Sequence, residues 1–452
     1  MKNINLNIDK SFIPLAQVLE DYKEKVQGQR HNELKICIER NNGYNYIYCI
    51  NIFADSNFAE QNYSIVERIV KTILWVAGGY KIYICGSRYI YENLKKDYSL
   101  SGKRQFDVDF MAHTYGKPFE VVYVGVENFP KVKPCSLKIG GHLGGYRIGF
   151  DAGGSDRKVS AVVNGKVIFS EEVVWHPKTS IDYNYQYNEI KSAILSAAAK
   201  MPRVDAVGVS SAGVYIDNKI MVSSLFMNIP KVDYLPYVQN MYLDIANELN
   251  LPIEVANDGD VTALAGSMEL DKGNILGVAM GTSEAGGYIN SQKSLCGYIN
   301  ELAFVPIDIS PNAAKDEWSG DIGCGVKYLS QDGVIKLAAM AGVSFPDSLT
   351  AYEKLQFVQN LLDKGDKKAQ AIFSDIGCYL AYSLAYYSEF YKIDYVLLLG
   401  RVMVGSGGEI ICSTCNKLLN SKYANKNIKL ILPSDKMRRV GQAIAAASLK
   451  EI

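Results

Sequence analysis

The sequence predicts an α/β protein, and three observations carry that prediction. Short runs rich in β-branched and aromatic residues alternate with segments whose apolar residues recur at helical spacing. Several of these strands end in glycine turns that lead straight into another strand or a helix. A stretch dense in Pro, Gly and Lys, KVKPCSLKIGGHLGGY from residue 131, separates a first α/β region from a longer second one.

In the first region, 1–145, the segments Leu34–Ile38, Tyr46–Phe53 and Lys81–Cys85 read as strands. Asn41-Asn42-Gly43 forms a hairpin turn between the first two. Val66, Ile69, Val70, Ile73 and Leu74 share one face of a helix. No helix-turn-helix with a basic recognition helix is visible. The second region opens with strand, glycine turn, strand, an Asn164-Gly165 hairpin, and a third strand. A helix then carries Ile190, Ala193, Ile194, Ala197 and Ala198. The strands Val204–Ser211 and Ile253–Ala256 follow. Next comes a helix with Val261, Leu264, Ala265 and Met268 on one side, then the strand NILGVAMG. A long helix aligns Ile372, Ile376, Leu380 and Leu384 and runs into the strand Asp394–Gly400.

Composition narrows the class. The 452 residues are 48% apolar and 21% charged, which is globular composition with ample material for a core. Lys+Arg and Asp+Glu are both 48, so the net charge is zero, which argues against a general nucleic-acid binder. The longest apolar runs are too short to span a bilayer, and the polar start MKNINLNIDKSF lacks the apolar core of a signal peptide. A cytoplasmic protein with no membrane partner is expected. The nine cysteines then read as reduced thiols, and the lone Cys412–Cys415 pair, on a helix, has no second pair to make a metal or redox site.

Four motifs carry candidate chemistry, though each alone is compatible with an ordinary turn or cap. Asp151-Ala152-Gly153-Gly154-Ser155 sits between two strands. It lacks the GK[ST] of a P-loop and the immediate helix of a dinucleotide fingerprint. A glycine turn can still aim N–H groups at phosphate oxygens, and Asp151 could hold Mg²⁺ directly or through water. Gly281-Thr282-Ser283-Glu284 is a second strand–turn–strand, placed to grip the same phosphates from the other side. Asn257 caps a helix whose first turn holds Asp258. The helix dipole favours an ionised carboxylate there, suited to taking a proton from an attacking hydroxyl. Finally, LLLGRVMVGSGGEII reads as a buried strand ending at Gly400 and a loop with Gly405, Gly407 and Gly408 that could approach a nucleotide closely.

The order of these pieces resembles the actin–hexokinase superfamily. Residues 146–450 resemble the ROK family of bacterial sugar kinases and related repressors. The resemblance rests on RIGFDAGGSDRKVSAVV, VDAVGVSSAGV, SSLFMNIP, EVANDGDVTALAG, GVAMGTSEAGGYI, NELAF, GDIGC and VLLLG. It implies a two-lobed actin/hexokinase-like (ribonuclease H-like) ATPase fold, with lobes at 146–255 and 256–452 and an additional N-terminal α/β region at 1–145. It implies ATP and Mg²⁺ as cofactors, a sugar-like small molecule as acceptor, Asp258 as catalytic base, and Asn257 and Glu301 as sugar contacts. Gly153, Gly154, Ser155, Gly281, Thr282 and Ser283 would hold phosphates, and the four glycines from 400 to 408 would border the adenosine. Closure of the lobes would exclude water.

The chain departs from the family at named positions. Phe304 stands where the family has a histidine that binds structural zinc and touches the sugar. Cys324 matches one zinc-loop cysteine, but Glu317 and Ser319 stand at the other two, so no structural zinc is expected. A further sugar-contacting glutamate falls at Val326. Glu284, in the second phosphate turn, replaces an apolar residue and would repel a γ-phosphate unless Mg²⁺ or the substrate paired with it. Two other readings stay open: a non-catalytic sugar-sensing regulator, and an ATPase of the acyl-CoA dehydratase activase type using Cys324 or Cys412–Cys415 for an iron–sulfur cluster. The 31 tyrosines suit either an interface, such as a homodimer surface, or the core.

Overall fold

A computed structural model describes residues 6–135, 138–434 and 441–452. Residues 136 and 137 of the expected boundary segment lie outside the described residues. The fold is mixed α/β. The chain divides into two compact units, one formed by Met1–Pro134, Val278–Gly286 and Ile299–Leu432, the other by Cys135–Gly277, Gly287–Tyr298 and Pro433–Ile452.

The second unit is built on a five-stranded sheet. Its order is Ile253–Asn257, Ala206–Ser211, Tyr146–Ala152, Asp156–Val163, Lys166–Val174. The first three strands are parallel and the last two antiparallel. Asn164 (φ 47°) and Gly165 (φ 77°) make the expected tight hairpin. Helix Tyr183–Ala198 buries Ile190, Ala193, Ile194 and Ala197 against Ile148, Phe150 and Val159 of the sheet. Helix Gln442–Ala447 packs on the same sheet through small residues. A Cβ added to Gly208 would lie 1.7 Å from the Ala446 carbonyl oxygen, so backbone, not side chain, fills that space. Gly208→Ala is therefore expected to cost at least about 1–3 kcal/mol, read as a lower midpoint in urea unfolding.

In the first unit, strands Asn45–Phe53, His31–Glu39, Lys81–Cys85 and Glu120–Tyr123 form one sheet in that order. Asn42 (φ 57°) and Gly43 (φ 69°) turn the chain between its first pair. The chain passes between the units within strands Ile275–Met280 and Glu284–Ile289, which belong to a second sheet continued by Tyr395–Leu399 and Lys429–Ile431. Residues 6–134 and 299–432 are one body. Asp375 accepts from the backbone N–H of Asn7 and Ile8 (both 2.7 Å), and the Tyr46 hydroxyl donates to the Phe390 carbonyl (2.7 Å). Many of the tyrosines are core residues here: Tyr22, Tyr328, Tyr379, Tyr386 and Tyr387 are all fully buried.

Helix Ala59–Ala77 buries the expected apolar face, and its other faces are buried as well. Glu67, Arg68 and Lys71 join Arg104, Asp107 and Asp321 in a closed network of three cations and three carboxylates. Asp321 Oδ2 accepts from Arg68 (3.0 Å), Lys71 (3.0 Å) and Arg104 (2.7 Å). Burial pushes the Asp321 carboxyl upward, but these cations outweigh it and hold the group below the ordinary range.

Candidate functional site

The second unit brings Asp151 and Asp258 together. Asp151 is the penultimate residue of strand Tyr146–Ala152 and pairs in register with Ser210 of the central strand; Asn257, the last residue of its own strand, pairs with Ser211. Both carboxylates thus stand at the carboxyl ends of the two parallel strands that flank the central strand Ala206–Ser211, the edge where open α/β sheets bind ligands. Ser210 donates to Asp151 Oδ1 (2.8 Å). Burial, reinforced by the charge of Asp258, pushes the Asp151 carboxyl up to about 6 despite that hydrogen bond.

Asp258 opens helix Asp258–Leu270 as expected. Asn257 Oδ1 accepts from the Gly259 N–H (2.7 Å), and Asn257 Nδ2 donates to the Gly213 carbonyl (2.8 Å). Asp258 Oδ1 accepts from the same Gly259 N–H (2.9 Å). The expectation of a readily ionised Asp258 needs correction. Burial raises its carboxyl above the ordinary value, and the Gly259 N–H and the nearby Lys178 ammonium offset this only in part. The helix terminus is real, but desolvation outweighs it.

The turn Gly153–Ser155 joins strands Tyr146–Ala152 and Asp156–Val163, with Gly154 and Ser155 exposed. It is held from below by Trp175, which is fully buried. The indole N–H donates to the Gly153 carbonyl (2.7 Å), and the Trp175 backbone N–H to that of Ser155 (3.2 Å). Sequence reasoning missed Trp175, Lys178 and Ser210. Ser210 stood in the quoted VGVSS strand, but nothing in EEVVWHPKTS revealed that the third strand returns to the first turn.

The first unit holds the remaining candidates. Thr282 and Ser283 are exposed in their turn, and the Gly281 N–H donates to the Ser283 carbonyl (3.0 Å). Gly400 (φ 97°) ends strand Tyr395–Leu399 so close to the Met280 backbone that an added Cβ would lie 2.2 Å from the Met280 carbonyl oxygen. The structure therefore brings Gly400 beside the 281–283 turn. The expected loop at 405–408 is instead the start of helix Gly405–Lys422. Only Gly405 is exposed there; Gly407 and Gly408 are buried where side chains would strike Phe373 and the Met403 carbonyl. They are packing residues of the helix rather than an open border.

Glu284 also departs from expectation. Its side chain turns inward from the second turn and is 2% exposed. Tyr387 donates to Oε1 (3.0 Å), and Oε2 is buried with no hydrogen-bond partner among the described residues. Burial pushes the carboxyl up to about 8. Its unfolded value is near 4.5, so between pH 4.5 and 8 the folded chain holds a proton that the unfolded chain has released. Stability is then greatest below pH 4.5 as far as this group is concerned, and falls up to pH 8 by at most about 1.4 kcal/mol per pH unit. Glu284→Gln is expected to remove that decline, so its melting temperature should exceed the parent's at pH 8 and match it near pH 5. Parallel melting curves across this range check it.

Glu301 lies half-buried before the turn Leu302–Phe304. Helix Ala59–Ala77 holds this segment: the Glu301 N–H donates to the Trp75 carbonyl (2.9 Å) and the Asn300 N–H to that of Val76 (3.0 Å). Phe304 packs on the Trp75 ring, with centroids 4.2 Å apart. Cys324 is fully buried, its thiol pushed up to about 12 by burial, with Ser319 Oγ at 3.9 Å. A protonated thiol beside a serine, with an aromatic ring at 304, does not fit a zinc ligand set. Cys412 is half-buried and Cys415 buried on helix Gly405–Lys422, and no cluster of three metal-ligating side chains occurs among the described residues. Mg²⁺ is a different case, because it keeps several waters and needs only one or two carboxylates beside substrate phosphates. Asp151 fits that demand.

A model of the ROK family matches residues 147–449. Among solved structures, the chain resembles a ROK hexokinase from Thermus thermophilus at 18% identity and a TM-score of 0.51, covering 67% of this chain and 97% of that one. It resembles a ROK family transcriptional regulator, a homologue of the E. coli MLC protein, at 17% identity and a TM-score of 0.54, covering 68% of this chain and 78% of that one. Comparison with curated proteins gives no significant match. At these identities the structural likeness speaks for the hexokinase-like α/β fold. No described helix is long and apolar enough to cross a membrane.

Proposed function

The chain belongs to the ROK family, and from that premise we propose that it is an ATP-dependent kinase that phosphorylates a hydroxyl of a sugar or sugar-like molecule. The observation that carries this reading is the placing of Asp151 and Asp258 at the ends of the two parallel strands that flank Ala206–Ser211, with the Gly153–Ser155 turn following Asp151.

Asp258 accepts the proton of the acceptor hydroxyl as its oxygen attacks the γ-phosphorus and the bond to the β–γ bridging oxygen breaks, releasing ADP. Its raised carboxyl brings it nearer the working pH, which favours general-base action. Asn257, fixed by Gly213 and Gly259, is a sugar contact, and Glu301, on a backbone held by Trp75, is another. Gly153, Gly154 and Ser155 offer backbone N–H groups to phosphate oxygens. The turn 281–283 and the exposed Gly400 and Gly405 are assigned to the nucleotide. Asp151 would hold Mg²⁺, directly or through water, and the ion would neutralise charge on the phosphates. Glu284 has no part in substrate binding on this reading, since its carboxylate is buried.

An ADP-release assay over hexoses, N-acetylhexosamines and polyols tests the proposal. Acceptor-dependent ADP release by at least one class is expected. No release with any acceptor, together with thermal stabilisation by a sugar, would replace this reading with that of a sensor.

A further inference from the structure

The segment after the third strand is pinned unusually well for an exposed loop. Besides the two Trp175 bonds to the glycine turn, the His176 N–H donates to the Tyr185 hydroxyl (3.0 Å) and Gln186 Nε2 to the Pro177 carbonyl (2.9 Å). The Lys178 carbonyl accepts from Asn228 Nδ2 (2.7 Å), and the Thr179 N–H and hydroxyl both donate to the His176 carbonyl. The backbone that carries Lys178 is thus fixed at both sides, by residues of three separate segments.

The Lys178 side chain reaches over the glycine turn. A Cβ added to Gly154 would stand 2.9 Å from Lys178 Cε and 3.0 Å from Nζ. The ammonium also acts on the Asp258 carboxylate, drawing its pKa down against burial. Yet Nζ has no ion pair or hydrogen bond among the described residues, and Lys178 is exposed. A positive group held over the glycine turn and acting on a candidate base, without an ion-pair partner among the described residues, suits an anionic ligand.

We infer that Lys178 is a phosphate-contacting residue, its ammonium binding the polyphosphate tail of the nucleotide over the Gly153–Ser155 turn. It would neutralise charge on the transferring group from the side of Asp258, so that a hydroxyl deprotonated there meets less repulsion. The inference rests on the proposed kinase reading for its catalytic part, but its binding part is independent of transfer.

The test measures ATP and adenosine affinity of the parent, Lys178→Met and Lys178→Arg by calorimetry, and kcat with whichever acceptor is found. Lys178→Met is expected to weaken ATP binding about tenfold, to leave adenosine binding unchanged, and to lower kcat further. Lys178→Arg should recover most of the ATP affinity, because it restores the charge. Equal ATP affinity in the parent and Lys178→Met, or a parent that binds no ATP, overturns the inference. A parent that binds ATP through Lys178 but phosphorylates no acceptor would sustain the inference and sink the kinase reading. Because Lys178 is exposed, both variants should melt with the parent; an equal loss of adenosine binding in Lys178→Met would count against a phosphate-specific role.

Discussion

Asp258→Ala abolishes phosphoryl transfer while nucleotide binding survives: kcat is expected to fall by about 10²–10⁴-fold, the usual contribution of a general base. The physical reason is local. Asp258 stands in the first turn of its helix with one carboxylate oxygen on the Gly259 N–H, and Asn257 shares that same donor, so capping persists when the carboxylate is removed. The helix should therefore hold, and the lost function should be the proton acceptor alone. Asp258→Asn keeps the shape without the basicity and should be as inactive as the alanine variant. Steady-state kinetics with parallel ATP titrations check both; a variant that still phosphorylates its acceptor at the parent rate shows that the base lies elsewhere.

Asp321→Ala is expected to be the most damaging single change to stability, at about 3–5 kcal/mol. One carboxylate oxygen serves Arg68, Lys71 and Arg104 inside the first unit, all nearly or fully buried. Removing it leaves three cations with only Glu67 and Asp107 to share, and the surplus charge has no water to solvate it. Asp271→Asn, which removes the exposed charge paired with Lys293 but keeps a residue that tolerates the left-handed φ of 55°, should by contrast leave the melting temperature unchanged. On the proposed function a second effect follows. The helix that carries Arg68 and Lys71 also supplies the carbonyls of Trp75 and Val76 that fix Glu301 and Asn300. Loosening it should raise KM for the acceptor more than KM for ATP.

The same network shows why part of the molecule was not legible in the sequence. Glu67, Arg68 and Lys71 have the types and spacing of a solvated helix face, and only tertiary pairing makes them core. Helix Gln105–Tyr115 escaped notice for a related reason: Asp107 and Thr114 are buried in it among apolar residues, which blurs its periodicity. Where one face meets the core and the other meets water, sequence and structure agree. Lys81–Cys85 is a strand with the bounds expected, the Asn164-Gly165 hairpin is in place, and Asn257 caps its helix. Glycine was ambiguous. Gly153 and Gly154 make a turn, whereas Gly407 and Gly408 are glycines because a helix start packs against Phe373 and Met403, and both uses look alike in one dimension. Glu284 differs from expectation because a carboxylate next to an exposed turn suggests a group near the phosphates, while strand alternation takes it inward to Tyr387.

The most direct test of the account is the ratio of phosphorylated acceptor to ADP, measured together by mass spectrometry in one reaction of the parent with ATP, Mg²⁺ and an acceptor that stimulates ADP release. One phosphorylated hydroxyl per ADP, lost from both products together in Asp258→Ala, is the predicted result. ADP formed without a phosphorylated acceptor, or a ratio that Asp258→Ala leaves untouched, would contradict it.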